Sequence, residues 1–174
     1  MNLKLHTHRV RLREIILLTL LGVLMYVSQV VMAGLPNIEI VSLLIIIITR
    51  KFGLYAFISV YVFVGCEILT YGIGIWNINY LYVWALLCIL VYLIRRIDSL
   101  VLYMLISAIF GLLFGTLCSV PYFLTGGVAM GVANIISGIG FDLLHCGGNF
   151  ILTLLLYKPL SQVLEKALKP LENG

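Results

Sequence analysis

Long apolar stretches alternate with short polar segments along the whole chain. Each stretch is rich in Ile, Leu, Val, Tyr and Phe and is followed by charged residues, by glycine or by proline. A helix needs about 20 apolar residues to cross a typical bilayer. The first, fifth and sixth stretches are therefore long enough to cross, the fourth is somewhat short and the second is marginal. The six stretches are residues 15–33, 35–49, 54–71, 80–94, 100–120 and 132–157.

Composition agrees with this pattern. Of the 174 residues, 63% are apolar and 10% are charged, and the mean hydropathy is +1.16. Soluble domains hold about 45–50% apolar and about 25% charged residues, so a soluble globular domain and a disordered chain are both excluded. The sequence predicts an all-α integral membrane protein with six transmembrane helices.

The positions of Lys and Arg predict how the chain is oriented. Of the eleven, four precede the first stretch, two follow the second, two follow the fourth and three follow the sixth. The segments after the first, third and fifth stretches hold none. Because Lys and Arg collect in cytoplasmic loops, we expect six crossings with both termini in the cytoplasm. The net charge of +4 is too small for a nucleic-acid surface.

Three segments follow from this division. Residues 1–14 are a basic cytoplasmic leader, and residues 15–157 are the transmembrane domain. Apolar residues recur at helical spacing in residues 158–174 with Lys166 and Lys169 between them, which predicts an amphipathic cytoplasmic tail on the inner membrane surface. A cleavable signal peptide is an alternative for the first stretch, but its apolar core is longer than the usual 7–15 residues.

The second stretch predicts a cavity. As a continuous helix, residues 35–49 would reach only about 22 Å, less than the roughly 30 Å hydrocarbon core. An extended segment at residues 35–38 would restore the crossing, and Pro36 favours that conformation. Non-helical backbone at that depth has to be covered by protein or line a cavity. We therefore expect a cavity beside Asn37 and Glu39.

Polar residues recur along one face of the sixth stretch. Asn134, Gly138, Asp142, His145 and Asn149 are spaced by 4, 4, 3 and 4 positions, which places them together on a helix. An acid at the centre of a membrane helix is costly and usually serves a purpose. The face therefore either lines a ligand cavity or forms a hydrogen-bonded seam between helices.

Asp142 and His145 could also be half of a metal or acid–base site. A four-coordinate metal needs further ligands, and only Glu39 and Glu67 are obvious donors. We therefore expect no metal and no cofactor. The four cysteines lie singly in apolar stretches without C-x-x-C spacing, as buried apolar residues do.

Aromatic and amide residues cluster between the third and fourth stretches. Trp76, Asn79 and Tyr80 have the chemistry of a lid, because rings stack on a heterocycle and amides bind its edge. The aromatic belt of a membrane interface is the alternative, above all for Tyr82 and Trp84. The chain has no ATP-binding loop.

Small residues predict close helix packing. Gly111 and Gly115 form a Gly-x-x-x-Gly pattern in the fifth stretch, and Gly22 is a small position in the first. Such patterns let helices approach closely.

Together these motifs resemble those of the substrate-binding membrane subunits (S components) of energy-coupling-factor vitamin transporters. The resemblance covers nearly the whole chain. It rests on its size, on six stretches with both ends inside, and on four sequence blocks. The blocks are Leu-Pro-Asn-Ile-Glu at 35–39, Tyr-Gly-x-Gly-x-Trp at 71–76, Tyr-Leu-Tyr-Val-Trp at 80–84, and Gly-x-Gly-Phe-Asp-x-x-His at 138–145, which leads to Asn149.

The resemblance implies a binding subunit of the bacterial plasma membrane rather than an enzyme. Such a subunit captures a vitamin or vitamin precursor at the outer face. It then docks on a transmembrane coupling subunit that carries two cytoplasmic ATPases, topples in the membrane and releases its cargo inward. The family usually docks through Ala-x-x-x-Ala on the first helix. That pair is absent here, and Gly22 is the nearest substitute.

Charge narrows the class of cargo. The predicted outer half holds no Lys or Arg, so a carboxylate cargo would be a buried anion without a partner. A neutral or amine-bearing heterocycle fits better. The candidate substrate-binding residues are Asn37, Glu39, Glu67, Trp76, Asn79, Tyr80, Asp142, His145 and Asn149.

Two other classes remain open. One is a six-helix membrane scaffold of the rod-shape-determining type, whose main surface would be a protein interface. The other is an intramembrane enzyme that uses Asp142, His145 and Glu67 as acid–base or metal-binding groups.

Overall fold

The computed structural model describes residues 11–172 except Pro36, and all regular elements in that part of the chain are helical. Most of the predicted leader lies outside the described residues, as do residues 173–174. The helices are α1 (Leu12–Val31), α2 (Val41–Phe52), α3 (Ala56–Tyr71), α4 (Ile75–Ile94), α5 (Leu100–Cys118) and α6 (Val120–Glu172), with a 3₁₀ turn at Gly53–Tyr55.

Within the described part of the chain, five helical segments are long and apolar enough to cross a membrane. α2 and α3 together make one of them, Val41–Tyr71, although Gly53 interrupts it with a φ of 61°. The other four are α1, α4, α5 and the Val120–Lys169 part of α6. Apolar side chains are exposed along α1, α4, α5 and α6. The chain is therefore an all-helical protein of the membrane-embedded kind.

α2 lies at the centre of the bundle. All twelve of its residues are buried, and it contacts each of the other five helices. The Ile45–Ile48 run makes the middle of α2 apolar on every side. A helix of that kind has to be buried among other parts of the protein. The helix is only about 18 Å long, and its neighbours shield it over that whole length.

The described residues before α2 are folded into turns, so the prediction of an extended segment at residues 35–38 is wrong for them. The Leu35 amide donates to the Met32 carbonyl at 2.8 Å, and the Ile38 amide donates to the Leu35 carbonyl at 3.3 Å. Asn37 takes a left-handed conformation with a φ of 52°, which a short amide side chain tolerates. The chain therefore reaches α2 through hydrogen-bonded turns.

α4 and α6 begin earlier than the apolar stretches indicate. α4 starts at Ile75, where the Asn77 side chain accepts a bond from the Gly74 amide and closes the first turn. The predicted link at residues 121–131 is helical on both sides of a break at Gly127, whose φ is 71°. A proline in the first helical turn, Pro121, costs no hydrogen bond.

α6 also continues past the predicted end of the transmembrane domain. Residues 158–172 extend the same helix rather than starting a separate one. Leu164 and Leu168 are buried in the core. An apolar pocket lies between this part of α6 and the helices α1 and α2. The tail therefore packs along the bundle through its apolar side.

The bundle has two distinct ends. We call the cavity end the one at which α1, α3 and α5 end and α2 and α4 begin. The opposite end, which holds Arg50, Arg95 and Asp98, is called the basic end.

Candidate functional site

A cavity of about 340 Å³ opens at the cavity end. The turns between α1 and α2 form one side, and the first turns of α4 together with the middle of α6 form the other. This volume lies near the lower limit of the ~300–1,000 Å³ typical of small-molecule sites, so it fits a compound of one or two rings. Its lining residues are Gln29, Val30, Met32, Ala33, Leu35, Asn37, Ile38, Glu39, Tyr71, Tyr80, Trp84, Phe114, Phe141 and His145.

Glu39 carries the acidic group of the cavity. Its Oε2 atom accepts a bond from the Ser42 amide at 2.8 Å, and its Oε1 atom accepts one from the Ser42 hydroxyl at 2.5 Å. The Nε2 atom of His145 lies 3.0 Å from the same Oε1. The carboxylate is thus fixed at the start of α2, where the N-terminal end of a helix dipole favours negative charge.

His145 reaches the cavity from α6. The residue is 2% exposed, and its ring centroid lies 4.9 Å from that of Phe114, with the rings at 64°. Its Nδ1 atom is buried and has no hydrogen-bond partner among the described residues. The imidazole is therefore held by its contact with Glu39 and by packing.

Aromatic rings form the wall beside this pair. The ring of Trp84 lies 5.5 Å from Tyr80 at 80° and 5.3 Å from Phe114 at 47°, measured between centroids. Phe63 supports Tyr80 from behind at 5.9 Å. Rings that meet at such angles present both faces and edges to a bound molecule.

Glu67 lies behind the wall rather than in it. The side chain is buried, and its Oε1 atom accepts a bond from Gln29 Nε2 at 3.1 Å. The same Gln29 nitrogen donates to Tyr80 Oη at 3.3 Å. Gln29 and Tyr80 line the cavity, so Glu67 orients two lining residues without lining it.

Most of the polar face of α6 binds α5 instead of the cavity. Asp142 Oδ1 accepts from the Gly115 amide at 2.9 Å, and Asn149 Nδ2 donates to the Ser107 carbonyl at 3.1 Å. Asn134 Nδ2 donates to Ser119 Oγ at 2.8 Å. Both interpretations of the face thus hold in part, because His145 lines the cavity while Asp142 and Asn149 belong to the seam between α5 and α6.

Trp76 and Asn79 also lie outside the lining. Trp76 packs edge-on against Tyr80, with 5.4 Å between the centroids, and it contacts Tyr71 at 6.2 Å. Asn79 is buried and accepts a bond from the Tyr82 hydroxyl at 3.0 Å, and that hydroxyl also donates to the Leu117 carbonyl. Of the three residues expected to form a lid, Tyr80 lines the cavity, and Trp76 packs against its ring from the first turn of α4.

The three singled-out glycines lie at contacts between helices of this chain. A Cβ atom on Gly22 would lie 2.5 Å from the Ser59 carbonyl oxygen of α3. On Gly111 it would lie 2.8 Å from the carbonyl carbon of His145, and on Gly115 it would lie 2.6 Å from Asp142 Oδ2. Gly111 and Gly115 therefore let α6 approach α5 closely, and Gly22 does the same for α1 and α3.

Arg50 dominates the basic end. It is 3% exposed and donates to the Tyr157 hydroxyl, to the Ile97 carbonyl at 3.2 Å and to Asp98 Oδ1 at 3.2 Å. Its guanidinium carbon lies 4.5 Å from the centroid of the Tyr103 ring. This side chain joins α2, α5, α6 and the loop after α4.

The candidate residues drawn from the sequence leave out most of the lining, including Gln29, Phe114 and Trp84. Gln29 is a lone amide in an apolar helix, and Trp84 follows Tyr80 by one helical turn, so both left a signal in the sequence. Phe114 left none, because phenylalanine is common in membrane helices. In the part of the chain that the structure describes, no three His, Cys, Asp or Glu side chains come together as candidate metal ligands.

Comparison of the chain with protein-family models, with curated proteins and with solved structures gives no match. The function is therefore inferred from the cavity and from the sequence pattern.

Proposed function

We propose that this protein is the substrate-capture subunit of an ATP-driven importer of a vitamin or vitamin precursor. The observation that carries the proposal is the cavity, where an acid–imidazole pair, Glu39 and His145, stands beside an aromatic wall. A mostly apolar pocket with a few fixed polar groups is the usual form of a small-molecule site. The resemblance of the sequence motifs to S components supports the same role.

The proposal includes an orientation in the bacterial plasma membrane. Six crossings, with α2 and α3 each counted as one, would place both termini in the cytoplasm. All eleven Lys and Arg residues then lie at the cytoplasmic side, as basic residues of membrane proteins do. The cavity end faces the exterior in this arrangement, so ligand enters from outside.

Transport requires partners in this proposal, because the chain has no ATP-binding loop of its own. The partners would be a transmembrane coupling subunit and two cytoplasmic ATPases, and the protein itself would be a binding protein and not an enzyme. Gly22 is buried against α3, so a docking surface on α1 would use its exposed side, where Leu20 and Leu24 lie.

Purification of the tagged chain from its native membrane tests the proposal. We expect a small molecule to co-purify, and we expect two ATPases to be recovered together with a transmembrane coupling protein. ATP-dependent uptake of that compound should be lost in a Tyr80→Ala variant that still reaches the membrane. Recovery of cell-wall synthesis proteins without ATPases or ligand would support the scaffold alternative instead. Chemical turnover of the co-purified compound that is lost in His145→Ala would support the enzyme alternative.

A further inference from the structure

We infer that the cavity selects a monovalent organic cation over a neutral or anionic compound of the same shape. The inference rests on the proposed capture function, because it assigns the ligand of the same cavity. It follows from three features: the protonation state of the Glu39–His145 pair, the absence of basic residues from the lining, and the arrangement of the aromatic rings.

The hydrogen-bond pattern favours one arrangement of the protons of the pair. His145 Nε2 faces Glu39 Oε1, and Nδ1 is buried without a partner among the described residues. With a neutral ring whose proton is on Nε2, that proton bonds the carboxylate and Nδ1 is left as an unpaired acceptor. A charged ring carries a hydrogen on Nδ1, and so does a neutral ring whose Nε2 accepts a hydrogen bond from a protonated Glu39. Buried N–H groups without a partner are rarer than unpaired acceptors.

This arrangement gives the pair one negative charge, located on Glu39. Its carboxylate also accepts two bonds from Ser42, which suits an ionised group that can only accept. Asp142, one turn before His145 on α6, is a second acid, and its carboxylate is bonded to α5. Glu67 of α3 is a third, and it lies behind Gln29 and Tyr80. No lysine or arginine among the described lining residues lies beside any of these three acids.

Among the described residues that line the cavity, none is a Lys or an Arg. A carboxylate in surroundings of low dielectric is costly unless a positive charge balances it. A monovalent cation in the cavity would balance Glu39, whereas a neutral ligand would leave the charge uncompensated and an anion would double it. The electrostatics of the site thus favour positive ligands.

The aromatic wall suits the same class. The rings of Tyr80, Trp84 and Phe114 follow one another at centroid distances of 5.5 and 5.3 Å, with tilts of 80° and 47°. A cation within about 6 Å of such ring faces is attracted by their quadrupoles, and tryptophan is the strongest of the three. The apolar body of the ligand would pack on Phe141 and on the side chains of the α1–α2 turns.

Three probes of one shape and different charge test the inference. They are the N-methylnicotinamide cation with its methyl group on the ring nitrogen, its neutral isostere meta-toluamide, and the anion meta-toluate. Binding to the purified full-length chain in detergent is measured by titration calorimetry, and empty micelles provide the blank. We expect the cation to bind at least about tenfold more tightly than the amide, and the anion to bind more weakly than both. Equal or tighter binding of the amide or the anion, or no binding of the cation at millimolar concentration, would overturn the inference.

A pair of matched variants locates the charge. Glu39→Gln should reduce the advantage of the cation over the amide to less than about threefold. Glu165→Gln, the same change about 30 Å further along α6 from His145, should keep the full advantage. If Glu39→Gln does not fold, the comparison of probes on the unaltered chain decides alone.

A co-purified native ligand that proves neutral or anionic would overturn the cation inference and leave the capture function standing. Absence of any co-purified ligand and of any ATPase would count against the capture function.

Discussion

The Nε2 atom of His145 lies 3.0 Å from the Oε1 atom of Glu39, so the middle of α6 is joined to the turn just before α2. The two residues are 106 positions apart in the sequence. On α5, the ring of Phe114 packs against the imidazole, and Gly111 lies directly against the backbone of His145. The position of the imidazole therefore depends on the glycines of α5.

Gly111→Ala should destabilise the protein by overpacking the seam between α5 and α6. The new Cβ atom would lie within 3.0 Å of the backbone of His145 and Cys146, which cannot move aside as a flexible side chain can. Insertion of a methyl group into a packed contact costs about 1–3 kcal/mol. We expect a lower midpoint of thermal unfolding in detergent. Gly147→Ala on α6 is the control, because nothing lies within 4 Å of its Cβ position, and it should be neutral or stabilising. An unchanged midpoint in Gly111→Ala would contradict the packing described here.

Gly22→Ala should destabilise the isolated chain in the same way. Its Cβ atom would approach the Ser59 carbonyl oxygen to 2.5 Å and Val62 Cβ to 2.8 Å, so α1 and α3 would have to separate, at a cost of about 1–3 kcal/mol. Gly65→Ala on α3 is the matched change in open space. If Gly22 served only as a docking surface for another subunit, the purified chain would unfold at the same temperature with either substitution. That result would show that its contact with α3 contributes little.

Sequence periodicity predicts which residues share a helix face, but it does not predict which of them contact a neighbouring helix. At 100° per residue, Asp142 and Asn149 lie about 20° apart on α6, whereas His145 is turned by about 60° from Asp142. That difference separates the seam from the cavity: Asp142 and Asn149 contact α5, and His145 faces Glu39. A single sequence fixes these angles, but it does not fix the rotation of α6 relative to α5.

The location of the cavity was more accessible to prediction. Pro36 and the shortness of the second apolar stretch indicated irregular backbone near Glu39, and the cavity lies there. The detailed conformation was not accessible, because the turns at residues 32–38 depend on local hydrogen bonds and on the left-handed Asn37. Trp84 follows Tyr80 by one helical turn, so it lines the cavity if Tyr80 does. Whether that side of α4 lines the cavity depends on how α4 packs on α3 and α5, and the sequence does not show this packing.

Arg50→Lys should lower the stability of the basic end. The guanidinium makes bonds to Tyr157, Ile97 and Asp98 at once, and a lysine ammonium cannot reproduce that planar fork. Loss of a hydrogen bond to a charged group costs about 1.5–3 kcal/mol. We expect a reduced free energy of unfolding in a denaturant titration. Arg96→Lys, at an exposed position of the same end, should change stability by less than about 0.5 kcal/mol. Equal effects of the two substitutions would show that the Arg50 contacts are not specific.

Asp142→Asn should mainly lower stability and His145→Gln should mainly weaken ligand binding, although the two residues are three positions apart on α6. Asp142 bonds the Gly115 amide and lies outside the cavity lining. Asp142→Asn should therefore weaken the seam between α5 and α6 and lower the midpoint of thermal unfolding. Ligand affinity should change by less than about threefold. His145 lines the cavity and holds Glu39, so His145→Gln should weaken binding of the co-purified ligand by about tenfold or more, as expected when a buried partner of a charged group is lost. Calorimetric titration and thermal unfolding of each variant give both quantities. If Asp142→Asn lost affinity as strongly as His145→Gln, the polar face of α6 would act as one binding surface. The assignment of Asp142 to the seam would then be wrong.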